Sequence, residues 1–186
     1  MTGIISYGAY IPLMRLPLSV IAGKAPKDGG PEKAVAWMDE DSVTLGVAAA
    51  QNCLQGFDRS RVDAVIFATT TYAFAEKQAA AIIAKALNLK GDVRTADIAH
   101  STRAGTIALQ SAIDAVKAGS ASRVLVIAAD CRMGAPGSGL EANTGDAAAA
   151  FLIGNDGVIA TLDAACAHTT EIIDLWRKQG DRFVHS

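Results

Sequence analysis

With 186 residues, 51% of them hydrophobic and 19% charged, the sequence can bury a substantial core and is predicted to form one domain, or one domain with an appendage. A net charge of −2, with lysine and arginine scattered along the chain, provides no electrostatic footprint for nucleic acid or an anionic membrane, which leaves small molecules and other proteins as expected partners. Three cysteines at uneven spacing suggest no disulfide framework, the start MTGIISYGAYIP lacks a signal-peptide pattern, and no apolar run approaches the roughly 20 residues of a membrane span. A soluble, cytoplasmic chain is expected.

In chain order, GIISYGAYIP reads as a strand ending at Pro12. A short apolar turn then leads to AGKAPKDGGPEK, an exposed Gly/Pro/Lys-rich loop. Asp39 to Asp41 supply cap candidates for a helix carrying VTLGVAAAQNCL, which Gly56 terminates. DAVIFATTT reads as a buried strand, FAEKQAAAIIAKALNL as a helix opened by Glu76, VRTADIA as a strand, AGTIALQSAIDAVKAG as a helix closed by Gly119, and SRVLVIAAD as another buried strand.

Such alternation predicts helices on both faces of a largely parallel sheet. After Cys131 the loop RMGAPGSGLEANTG has no clear helix behind it, and DAAAAFLIGNDGVIATLDAA reads as two strands joined in a hairpin at Asn155-Asp156-Gly157. The sum is an α/β unit, β-α-β-α-β-α-β-β. The remaining CAHTTEIIDLWRKQGDRFVHS is amphipathic, is expected to begin a helix near Thr170, and stops without a closing element. Residues 1–165 are therefore read as the domain and 166–186 as an extension.

The stretches MDEDSVTLGVAAAQNCL, STRAGTIALQ, AADCRMGAPGSGLE and TGDAAAAFLIGNDG, in this order and spacing, resemble the N-terminal half of thiolase-superfamily condensing enzymes. The similarity is to hydroxymethylglutaryl-CoA synthases of the archaeal and bacterial type, with ketoacyl-ACP synthase III more distant. The resemblance implies a thiolase-like fold in which two copies of the β-α-β-α-β-α-β-β unit pack into a five-layer α/β/α/β/α sandwich. This chain supplies one copy, and a lone copy is expected to expose the apolar face that its twin covers. The resemblance further implies an oligomer, no bound cofactor, and a coenzyme A thioester as substrate.

In that family a cysteine at the N-terminus of the central helix takes the acyl group, in a motif of cysteine, any residue, small residue, Gly, Thr. Gly105 and Thr106 place Thr102 at the nucleophile position. An aliphatic hydroxyl ionises far less readily than a thiol, and a helix dipole worth roughly 0.3–1 kcal/mol does not activate it. Ser101 and His100 adjoin Thr102 as a conceivable nucleophile and base, but sequence neighbours seldom face each other, and a hydroxyl residue before a helix is more simply an N-cap.

The family's carboxylate base falls in FATTTYAF, which contains no acid, with Glu76 displaced beyond it. The family's catalytic histidine and its polar companion come from the second half. Arg103 is a candidate for a CoA phosphate or a carboxylate, or a solvated helix-terminal arginine. Gly134, Ala135, Pro136 and Gly137, within GAPGSG, match no phosphate-cradle motif; by resemblance they lie near the acyl pocket and dimer contact, or form a plain exposed loop. Cys166 and His168, with Cys131 or His185, lack paired ligand spacing, so no metal is expected. Tyr72, Trp37 and Trp176 read as packing residues.

Three functions remain open. The chain could be a non-catalytic thiolase-like subunit of an acyl-CoA condensing or cleaving complex, docked on a complementary half or a homologous thiolase-like chain. It could be a cysteine-independent thiolase-like carbon–carbon lyase or acyltransferase completed by a partner chain, or an inactive fragment of a hydroxymethylglutaryl-CoA synthase-like protein. As an isolated chain it is expected to be inactive.

Overall fold

The computed structural model describes residues 1–172, 175–178 and 180–186. Five strands form one mixed sheet: β1 (Gly3–Tyr10), β4 (Ala64–Thr69), β5 (Arg94–Ala99), β6 (Val124–Asp130) and β7 (Ala147–Gly154), in the order β1-β7-β6-β4-β5. β4 pairs parallel with β5 and β6, whereas β7 pairs antiparallel with β6 and with β1. The sheet is thus half antiparallel rather than largely parallel, because β7 enters from a loop with no crossover helix.

Period-2 alternation explains how the sheet is covered. Val65, Phe67, Leu125, Ile127, Ala150 and Leu152 point to one face, packed under α2 (Ser42–Cys53) and α3 (Ala79–Ala86). Their neighbours Ala64, Ala68, Val124, Val126 and Ile153 point to the other face, under α4 (Ala104–Lys117). Burial on both faces is why these strands read as continuous apolar runs. Burying each such Val, Leu, Ile or Phe side chain contributes roughly 1.5–3 kcal/mol.

Local chemistry sets the helix ends. Asp41 caps α2 in a capping box, its carboxylate accepting from Val43 N and Thr44 N at 2.9 and 2.8 Å while Thr44 Oγ1 accepts from Asp41 N at 2.7 Å. α4 ends before Gly119, whose φ of 73° is left-handed. α3 begins at Ala79, later than its composition suggests, and Glu76 lies outside it. Its cap comes from β5: the Asp97 carboxylate accepts from Ala79 N and Ala80 N at 2.9 and 2.8 Å.

Other expectations are corrected. The segment after Pro12 contains β2 (Arg15–Pro17), the single-turn α1 (Leu18–Ile21) and β3 (Glu32–Ala34), with β2 and β3 paired antiparallel around the Gly/Pro/Lys-rich loop. The Gly-rich loop after β6 does enter a short helix, α5 (Gly139–Asn143), capped by Ser138 Oγ. The Asn155-Asp156-Gly157 turn makes no hairpin with β7, because both edges of β7 are already paired; the returning chain bridges β1 instead, at Ile4 and Ala160. No helix occurs in the described residues after Asn143, so the helix expected near Thr170 is absent from them; Ile173, Asp174 and Gln179 lie outside the described residues.

The outer faces of the helices are mixed rather than apolar. α4 turns Thr106, Ile107, Gln110 and Ser111 outward, and Leu13, Met14, Trp37 and Met38, next to β2 and β3 in sequence, are among the large exposed apolar side chains. Trp37 and Trp176 are consequently surface residues, 50% and 41% exposed, and not core packing. No helix among the described residues is long and apolar enough to cross a membrane.

α2 lies directly on β1 at Gly8, where an added Cβ would fall 2.4 Å from Cys53 N and 2.5 Å from Ala49 O. Both obstacles are backbone, so relief requires the helix to move. Gly8→Ala is expected to cost about 1–3 kcal/mol and to lower the melting temperature by several degrees in a calorimetric scan. Gly91→Ala, with nothing within 4 Å of the new carbon, is expected to leave it unchanged.

Candidate active site

The carboxyl ends of β4, β5 and β6 open onto one cavity of about 770 Å³. Crevices at the carboxyl ends of parallel strands are where α/β folds bind ligands. Its walls are Thr70 to Ala75 after β4, His100 to Thr102 between β5 and α4, Arg132 after β6, and a strap in which Leu175 to Lys178, Gly180, Asp181 and Val184 face it.

The structure brings His100, Ser101 and Thr102 together at this cavity, ahead of the first turn of α4. Thr102 is exposed and Ser101 half-buried. Ser101 Oγ accepts from Arg103 N at 3.2 Å and Ser101 O from Ala104 N at 3.0 Å, so Ser101 shapes the turn into the helix. The helix N-cap position itself is Arg103, which lends no side-chain cap. His100 adopts a left-handed φ of 66°, and its ring lies 6.2 Å from that of Tyr72, centroid to centroid. No hydrogen bond joins His100 to Ser101 or Thr102 among the described residues.

Arg103 and Gly134 to Gly137 do not line the cavity. The glycine loop is fixed from behind: a Cβ on Gly134 would fall 2.2 Å from Glu141 N, and Gly137 N donates to the Glu141 carboxylate at 2.6 Å. It borders the site through the strap, since Gly134 bridges Val184 and Val184 N donates to Met133 O at 2.9 Å.

The acid-free segment after β4 is held by a carboxylate from elsewhere. Oδ1 of Asp130, at the end of β6, lies within reach of Thr70 N at 2.6 Å, Thr71 N at 3.1 Å and the Thr69 and Thr70 hydroxyls, each at 3.0 Å. Thr71 Oγ1 in turn accepts from Cys131 N at 3.0 Å. Tyr72 is tied down as well: its hydroxyl donates to Asp97 and accepts from Ala79 N at 3.0 Å, and burial together with the Asp97 hydrogen bond pushes its pKa up. Glu76 does not line the cavity.

Neither Cys53 nor Cys131 offers a ready thiolate. Burial, with the Asp146, Asp41, Asp130 and Glu40 charges, pushes the Cys131 thiol up to about 12, and burial pushes Cys53 up to about 11. Cys166 is exposed in the segment after β7. Among the described residues no group of three His, Cys, Asp or Glu side chains could hold a metal ion.

Arg132, Arg177, Lys178 and Asp181 also line the cavity, and nothing in their local sequence assigns them to it. Asp130 carried one signal, a lone acid ending an otherwise apolar strand.

The chain is similar to known proteins in sequence and in fold. Hydroxymethylglutaryl-CoA synthase of Methanosphaera stadtmanae is 35% identical over 193 residues, covering 98% of this chain and 56% of the relative. That of Pyrococcus furiosus is 36% identical over 187 residues, covering 97% and 53%. The chain is a homologue of hydroxymethylglutaryl-CoA synthases with a thiolase-like fold. A structure of hydroxymethylglutaryl-CoA synthase complexed with CoA superposes with a TM-score of 0.87 at 25% identity, over 99% of this chain and 50% of that one. β-Ketoacyl-acyl carrier protein synthase III of Thermus thermophilus matches at a TM-score of 0.71 and 26% identity, over 82% and 51%. No family model matches the chain. The chain spans about half the length of the synthases it matches.

Burial, with the surrounding carboxylates, holds Cys131 as the thiol at pH 8. Iodoacetamide at that pH is therefore expected to label Cys166 and to spare Cys53 and Cys131, as read by peptide mass mapping. Rapid labelling of Cys131 would contradict the environment described for it.

Proposed function

We propose that the chain is a thiolase-like subunit that binds an acyl-CoA thioester in the cavity beside Thr102 and, alone, transfers no acyl group. The observation that carries this reading is the hydroxyl of Thr102 at the start of α4, where the family's acyl-accepting cysteine would stand. The dipole of α4 offers about 0.3–1 kcal/mol, less than the ~1.36 kcal/mol equivalent to one pKa unit. That cannot bring an alcohol into the range of a working nucleophile. A positioned base would be needed, and neither His100 nor any carboxylate is hydrogen-bonded to Thr102 among the described residues.

In this reading residues 1–165 are the N-terminal repeat and residues 166–186 an extension toward a second repeat. A complementary half or a homologous thiolase-like chain, assembled as an oligomer, supplies the histidine and its polar companion. Arg103 and the loop from Gly134 to Gly137 flank the thioester's nucleotide end or the contact between chains. The synthase solved with CoA supports coenzyme A thioesters as the ligand class.

The retained cavity, with hydroxyls of Thr70, Ser101 and Thr102 on its wall, favours one second reading. A carbon–carbon lyase needs no acyl-enzyme, so the same cavity completed by a partner could cleave a β-hydroxyacyl-CoA.

Incubation with acetyl-CoA followed by intact-mass measurement tests the first reading. The chain is expected to bind the thioester without gaining a covalent acetyl group, and Thr102→Cys to acquire one that hydroxylamine removes. Acetylation of the unaltered chain would overturn the non-catalytic assignment. Native mass spectrometry of the protein from its own cells is expected to find a stoichiometric second chain bearing the missing histidine.

A further inference from the structure

We infer that the strap over the cavity, residues 175–178 and 180–186, docks and undocks as a unit that Arg177 latches onto Thr70, and that a thioester in the cavity selects the docked state. The second half of the inference rests on the acyl-thioester reading of the same cavity. The strap is closed on itself. Trp176 N donates to His185 O at 3.1 Å and His185 N to Trp176 O at 2.9 Å, and the two rings stack with centroids 4.7 Å apart. Asp181 N donates to Lys178 O at 3.1 Å across a turn in which Gly180 takes a left-handed φ of 90°. The Asp181 carboxylate seals that turn, its Oδ2 accepting from Lys178 N at 3.0 Å and facing His185 Nε2 at 3.2 Å.

Its hold on the rest of the chain is slight by comparison. Val184 is the one buried side chain among the strap's described residues, and it belongs to neither of the apolar clusters that cover the sheet. Its N–H donates to Met133 O at 2.9 Å, beside the bridge to Gly134. On the other leg a single exposed side chain makes the contact, Arg177 donating to Thr70 O at 3.2 Å. No other hydrogen bond joins the strap to the body among the described residues. The segment before it adds no tether: residues 161–172 are exposed throughout, and their hydrogen bonds, Thr161 to Asp163 and Thr170 with His168, stay within the segment. Segments with few buried apolar contacts and exposed hydrogen bonds open locally at a fraction of the free energy of global unfolding. Thr70, in contrast, sits in the turn that Asp130 holds, so the latch has a fixed receiver. Because the strap supplies one wall of the cavity, a ligand that touches that wall binds the docked state and draws the equilibrium towards it.

Hydrogen exchange followed amide by amide in NMR spectra reads docking through the Val184 N–H and the global fold through that of Ile127, buried in β6 between β4 and β7. In the ligand-free chain Val184 is expected to be protected at least ~100-fold less than Ile127. Arg177→Ala is expected to lower the protection of Val184 about threefold to tenfold and to leave that of Ile127 unchanged, and Arg177→Lys, which still donates, to restore part of it. Acetyl-CoA at about ten times its dissociation constant is expected to raise the protection of Val184 about tenfold. Equal protection of Val184 and Ile127 would show a fixed wall and overturn the docking equilibrium, and an Arg177→Ala chain that exchanges like the unaltered one would overturn the latch. Acetyl-CoA that binds in titration calorimetry without slowing exchange at Val184 would overturn the coupling and leave the acyl-thioester reading standing. Failure of acetyl-CoA to bind would overturn that reading and the coupling together, while the ligand-free comparison still decides whether the strap undocks.

Discussion

Everything at the site follows from one requirement, that β6 be covered on both faces and paired on both edges. Leu125 and Ile127 bury under α2 and α3, Val124 and Val126 under α4, while β4 takes one edge and β7 the other. Parallel pairing to β4 forces the intervening chain to cross over, and the helices that do so end their loops at the same edge of the sheet. The turn after β4, the junction before α4 and the loop after β6 therefore meet without any of them being designed around the others. The antiparallel β7 then closes the far side and sends the following chain past β1, from where it returns as the strap over the cavity.

Asp130 translates that framework into a site. A carboxylate that accepts backbone and hydroxyl donors gains about 1.5–3 kcal/mol for each well-made bond, and it gathers Thr69, Thr70 and Thr71 into a single turn. The same charge, with Asp146, Asp41 and Glu40, raises the neighbouring Cys131 thiol, although burial is the larger cause. A thiolate is disfavoured by both low polarity and negative surroundings. The group that holds the wall together thus also disfavours the thiolate of the adjacent cysteine.

Legibility followed the range of the interactions. Runs such as AVIFAT and VLVIAAD announce strands because both faces are buried, and Asp41 announces α2 because a capping box closes within four residues. The start of α3 was not readable, since its cap is Asp97 from the next strand, 18 residues beyond Ala79. The turn at Asn155 to Gly157 has good hairpin chemistry, yet strand order overrides it. His100, Ser101 and Thr102, singled out by the local motif around Gly105, do line the cavity. Arg132, Arg177 and Asp181 meet only through the tertiary fold, and α5 is too short to have a periodic signal.

The cavity does not depend on a nucleophile being present. The walls of this cavity are set by strand ends, the Asp130 turn and the strap, none of which depends on what stands at position 102. Thr102 keeps a hydroxyl able to donate one hydrogen bond, so a thioester carbonyl or sulfur placed there would be oriented but not attacked. Under the proposed reading, binding energy from the rest of the ligand then serves position rather than chemistry. Orientation raises a rate only when a reacting group waits at the other end.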